Sequence, residues 1–238
     1  MIARLIAVIF LILCHLPAHG ETIEEVVAAV GPTPILRSDI ILSRLVQLVE
    51  ITPGESDAAV TGRLLETRIN LELQFRDLEE SGTLYRLDFD VTAVSEDLIR
   101  RGGGEEVLQR SLVANGLDLG DVEELALRLA SARAYIEQRL KPRIRVTSDE
   151  IETAYQDIVV AEMQTAGQQP PPLDQVRDDI RRLLTERKIN DEIEAWLATA
   201  AENHEVTRFY RPEEAARPRP TPEPLPTARA DTALGTAP

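Results

Sequence analysis

Between Ser56 and Glu80 the chain carries a helical repeat that is apolar on two opposite sides. Val60, Leu64, Leu71, Phe75 and Leu78 share one face, and Leu65, Ile69 and Leu73 lie nearly opposite. A helix with one apolar stripe can lie on a surface, but a helix with two must be sandwiched between partners. The rest of the chain is therefore expected to wrap in layers around residues 56–80.

The flanking patterns supply those layers. Val26–Val30 is a short apolar run, Gly31-Pro32-Thr33-Pro34 carries turn residues, and Ile35-Leu36 resumes the run, which predicts a small hairpin. Ser38 stands at an N-cap position before a helix over about 39–50, with Ile41, Leu45 and Leu48 at helical spacing. Further helices are expected near 92–101, 105–115 and 121–140. The first stops at Gly102-Gly103-Gly104, the second at Asn115-Gly116, and the third before Pro142. The glycine run is not read as a phosphate loop, because acidic Glu105-Glu106 follows it where Lys-Ser/Thr would stand. Ser148 is the expected cap of a helix over 150–161, and Asp174 of a last helix over 174–202. In that last helix Val176, Ile180, Leu183 and Leu184 lie opposite Ile189, Ile193, Trp196 and Leu197, so it should lean on two neighbours in succession. "HEVTRFY" closes the body with strand alternation. A two-stranded hairpin is marginal alone, so the natural home of this strand is beside the first hairpin. The expected fold is mainly α: a multi-helix lobe with a small antiparallel sheet made by the N-terminal hairpin and the C-terminal strand.

The ends read differently. Residues 1–20 combine Arg4, the apolar run Leu5–Leu13 and small residues Ala18 and Gly20, which predicts a secretory signal peptide cut after Gly20. That run is shorter than the ~20 apolar residues of a membrane span. Cys14 could mark lipidation, but Leu13 before it is bulky for such a cleavage site. From Arg211 to Pro238 the chain holds seven of its fifteen prolines and few large apolar residues, the composition of a disordered tail.

Composition narrows the function. Cys14 is the only cysteine, and His204 is the only histidine beyond the leader. Metal sites of the cysteine–histidine kind and Cys/His or Ser/His nucleophilic sites are therefore not expected, nor is any cofactor. The formal charge is -15; loss of Arg4 from 26 basic residues leaves 25 against 41 acidic ones, a net -16. Such a chain repels nucleic acid and anionic lipid surfaces.

Taken in order, "VVAAVGPTPILRSDI", "LLETRINLELQFRDLEESG", the "ANGLDLGDVEE" link, "RVTSDEIETAY" and the closing "PLDQVRDDIRRLLTERKINDEIEAWLATAAENHEVTRFY" resemble the chaperone module of SurA-type periplasmic folding factors. The resemblance covers about 22–210 and divides the body (21–210) into an N-terminal part (21–163), a connector (164–173) and a C-terminal helix and strand (174–210). In that family a parvulin-type prolyl isomerase domain usually follows the "RVTSDEIETAY" helix. Here the place holds only "QTAGQQPPPLDQV", without the glycine-rich signature or histidines of that domain, so a short rigid connector is expected and no catalysis.

The resemblance implies a periplasmic chaperone that binds unfolded polypeptides, outer-membrane protein precursors among them, through an apolar groove. Leu42, Leu45, Val49 and Phe75 are the candidate peptide-binding residues, although the same residue types also build cores. The divided helix faces permit exchange of elements between two copies, hence a homodimer. Two other readings stand beside this one: a member of the isomerase family with residual activity, and a structural adaptor of an envelope complex with one folded partner. Pairs such as Glu79-Glu80, Glu105-Glu106 and Glu123-Glu124 read as solvated faces, because neighbouring residues on a helix point apart.

Overall fold

The computed structural model describes residues 24–210. The expected signal peptide and the proline-rich tail lie outside them. The order of elements is β1 (Val26–Val30), β2 (Thr33–Leu36), α1 (Arg37–Leu45), α2 (Asp57–Glu80), α3 (Val91–Arg101), α4 (Glu105–Ala114) and α5 (Leu119–Tyr135). Then come α6 (Ser148–Ala154), α7 (Ala161–Thr165), α8 (Leu173–Asn203) and β3 (Val206–Arg208). The protein is mainly α with one small antiparallel sheet, as the residue pattern requires.

The sheet has the order β2-β1-β3, so the last strand of the body lies against the first. Val30 pairs with Thr33 across the two-residue loop Gly31-Pro32, where Gly31 takes the positive φ of 54° that the first loop position of a primed turn requires. On the other side Ala28, Ala29 and Val30 pair with Arg208, Thr207 and Val206. The loop and the last strand are tied by Gly31 N–H donating to the Glu205 carbonyl at 2.8 Å.

The sandwiched position of α2 follows from its two apolar sides. Val60, Leu64, Leu65, Ile69 and Leu73 share a core with Val27, Ala28, Val30 and Ile35 of the sheet. Leu71 joins a second core of Leu42, Val46, Leu98, Leu108, Leu112, Val122 and Leu125 from α1, α3, α4 and α5. Leu78 joins a third with Leu140 and Trp196. Val60 and Leu64 thus pack with the sheet-side residues, not with Leu71 and Leu78 as helical angle alone predicts. The sheet packs on the N-terminal half of α2, so Val60 and Leu64 are drawn to its side.

α8 does lean on two neighbours. Its first half meets α6 and the π-helical turn Tyr155–Val160 through Leu173, Val176, Ile180 and Leu184, which form a satellite core with Ile151 and Ala154. Its second half packs on the main body through Ile193, Trp196, Leu197 and Ala200. Trp196 stacks obliquely on Tyr135, ring centroids 4.4 Å apart, and its indole N–H donates to Asp77 Oδ2 at 2.8 Å. Ala166–Pro172 connects α7 to α8, and the Tyr155 hydroxyl donates to the Pro171 carbonyl at 2.7 Å.

Three cap positions differ from expectation. Leu36, not Ser38, is the N-cap of α1: Asp39 Oδ2 reaches back to the Leu36 N–H at 2.8 Å, and Ser38 lies inside the first turn. Thr147 caps α6 in place of Ser148, its hydroxyl accepting from Glu150 N while Glu150 accepts from Thr147 N. α8 starts at Pro172-Leu173, so Asp174 sits within the first turn and not at the cap. α1 also stops at Leu45, about five residues early, because Gln47 turns into left-handed backbone with φ 51°.

Candidate functional site: an apolar concavity under the sheet

β1 with the preceding Glu25, α1, the start of α2, Asn115 after α4 and Tyr210 line a concavity of about 340 Å³. β1 aims Val27 into it, α1 supplies Ile40, Ile41 and Leu45, and α2 supplies Thr61 and Leu65. Val27, Ile40 and Leu65 are buried and form the floor, whereas Ile41, Leu45 and Tyr210 are half-buried and form the walls. The spacing 37, 40, 41, 44, 45 on α1 explains the layout, because these residues share one side of the helix. Apolar members enter the hollow and charged ones reach its mouth.

The rim is polar and self-paired. Arg37 binds Glu25 at 2.8 Å; Arg44 binds Asp57 at 2.5 Å and donates to Thr61 Oγ1 at 3.0 Å. Both carboxylates are largely exposed, so these pairs add little stability. They leave no free charge at the mouth. The arrangement suits an apolar, uncharged segment.

Of the four candidate binding residues, only Leu45 lines this concavity. Leu42 is 1% exposed within the core that joins α1 to α3–α5, so it has no surface to present; that assignment is corrected. Its helical phase turns it towards Leu98, Leu108 and Leu112. Val49 is half-buried and lines a different, shallower groove with Ala58, Ala59 and Gly62. Phe75 lies beneath Arg128, whose guanidinium carbon is 5.1 Å from the ring centroid. The four therefore do not form one surface. Ile40, Ile41, Val27, Leu65 and Tyr210 were not among the candidate binding residues, Ile41 and Leu65 having entered only as helix-stripe positions; the one available signal was Ile41, three and four residues from the arginines that mark the rim.

A second polar assembly links α1, α2 and α5. Arg68 is 8% exposed and bonds Asp39 at 2.5 Å, and Arg128 bonds Glu72 at 2.8 Å. Burial pushes the Arg68 pKa down, opposed by the Asp39 charge. Arg68 Nη1 has no partner among the described residues. His204 is buried 3.9 Å from Glu80 at the end of α8. Among the described residues no group of three or more His, Cys, Asp or Glu side chains is placed to hold a metal ion, and no helix is long and apolar enough to cross a membrane.

No family model matches the chain, and no curated protein matches it.

Proposed function

We propose that the protein is a non-catalytic folding chaperone of the SurA type, exported to the periplasm, which holds non-native polypeptides such as outer-membrane protein precursors. The observation that carries this reading is the concavity with an apolar floor and a self-neutralised rim, walled jointly by the first strand and the last residue of the body. Such a hollow offers apolar contact without demanding a fixed partner charge, the requirement for a binder of many sequences. The excess of acidic residues would keep a loaded complex soluble.

The test is suppression of aggregation. An unfolded outer-membrane β-barrel protein is diluted from urea with and without the protein, and light scattering is followed. A few-fold molar excess is expected to abolish the rise in scattering, and to do so for at least one unrelated unfolded client. Leu45→Asp, which puts a charge in the wall, should lose the effect while keeping its circular dichroism spectrum. Leu183→Asp, on the exposed side of α8, should keep it. Scattering unchanged with every client would refute the reading and leave the adaptor alternative in its place.

A further inference from the structure

Among the described residues the sheet has two unpaired edges, β2 and β3, and they are built differently. In an antiparallel ladder alternate residues turn their N–H and C=O towards one neighbour and then away from it. Along β2 the pairs Val30–Thr33 and Ala28–Ile35 face β1, so Pro34 and Leu36 face outward. Pro34 has no N–H, and the Leu36 N–H is taken by Asp39 at 2.8 Å. That edge offers no outward donor, which is how proteins guard a sheet against strand addition.

Among the described residues the β3 edge has no such guard. Glu205 accepts from Gly31, Phe209 donates to Val27, and Thr207 pairs with Ala29, so these three residues face β1. Val206 and Arg208 therefore turn both their N–H and C=O groups outward. Glu66, bound to Arg208 of β3 at 2.8 Å, also lines an open groove of about 470 Å³ along α2 with Ala58, Ala59, Gly62 and Arg63. Small residues there leave room for the side chains of an added strand.

From these two edges we infer that β3 accepts an extended segment of the non-native polypeptide as a fourth strand. This rests on the proposed chaperone reading and adds a recognition mode to it: main-chain hydrogen bonds, which carry no sequence preference. A second copy of this chain is the weaker occupant. It would bring only its own three-residue strand, far short of the roughly 1,200 Å² that a stable interface buries. The acidic surface also favours a segment with basic flanks over a copy that is itself acidic.

The probe is a fluorescein-labelled decapeptide of alternating valine and threonine with a lysine at each end, titrated against the full chain by anisotropy. Residues opposite Val206 and Arg208 point their side chains to α2, so valine should occupy those positions and use its N–H. N-methylation of the valines should weaken binding by about tenfold or more, while N-methylation of the threonines leaves it near the parent value. Arg208→Pro removes one outward donor without touching the inward pairs and should weaken binding several-fold; Arg208→Ala, which keeps that donor, should not. Equal effects of the two methylation patterns would overturn the inference. So would a folded Arg208→Pro protein of unchanged affinity, or a dimer that Arg208→Pro dissolves. Phase-dependent peptide binding without protection of unfolded clients would sink the chaperone reading and leave the strand-accepting edge standing. Protection without phase dependence would do the reverse.

Discussion

Gln47 carries two opposed contributions in one side chain. Its positive φ closes α1, with the Leu48 N–H reaching the Ser43 carbonyl at 2.8 Å, a geometry that favours glycine. Its side-chain amide donates to the Arg101 carbonyl at 3.0 Å, which satisfies the end of α3. Gln47→Ala loses that bond and keeps the backbone cost, so it should destabilise by about 1 kcal/mol. Gln47→Gly relieves the backbone and should be close to neutral; urea denaturation of the two variants ranks them. Trp196, the one tryptophan of the chain, is a larger case. Trp196→Ala empties the junction of α8 with α2 and α5 and leaves Asp77 without its donor, with an expected cost of about 3–5 kcal/mol. At Glu66 the Arg208 hydrogen bond holds the carboxyl below its ordinary value of 4.5, against a smaller opposing effect of burial. A lowered acid stabilises the fold above its ordinary value and loses that contribution as pH falls through the lowered one. The melting temperature of the wild type should therefore fall more steeply on acidification than that of Glu66→Gln, and scans between neutral pH and pH 3 measure the difference.

At the scale of elements, periodicity made most helices legible and local chemistry decided their ends. The apolar stripe of α5 and the divided faces of α2 and α8 were readable because burial imposes the helical repeat on whichever residues face a neighbour. The caps were less so. Thr147 and Ser148 are adjacent hydroxyls, and only the glutamate three residues after Thr147 completes a reciprocal cap. At α1 no side-chain oxygen stands at the cap at all, since Asp39 does the work from within the helix. The early end of α1 had no glycine to announce it, since Gln47 takes the left-handed position itself. The concavity was illegible for another reason: its lining comes from residues about 180 positions apart, and no local window joins Val27 to Tyr210. A sharper element-level expectation concerns the satellite core around Ile151 and Ile180. Tyr155→Phe removes the hydroxyl that holds Pro171, so amides of α6 and α7 should exchange several-fold faster while those of α2 stay unchanged.

For the molecule as a whole, β1 is the keystone, paired on one side with the strand that follows it and on the other with the strand that ends the body. Removal of residues 204–238 takes away β3 and the Arg208–Glu66 pair, and exposes the Val27–Ile69 core beside α2. That truncation should lower the denaturation midpoint of the main body and broaden its transition, whereas removal of 211–238 alone should leave it in place. Urea titration followed by Trp196 fluorescence separates the two, because the indole sits on the junction that α8 shares with α2.

The Tyr210 N–H meets the Val27 carbonyl at 3.0 Å, so the described chain begins and finishes at neighbouring points. The backbone is thus nearly a closed loop, and where it is cut matters less than that it closes. A circular permutant that joins residue 210 to residue 24 by a short glycine–serine bridge and opens between Gly167 and Gln168 should fold to the same arrangement.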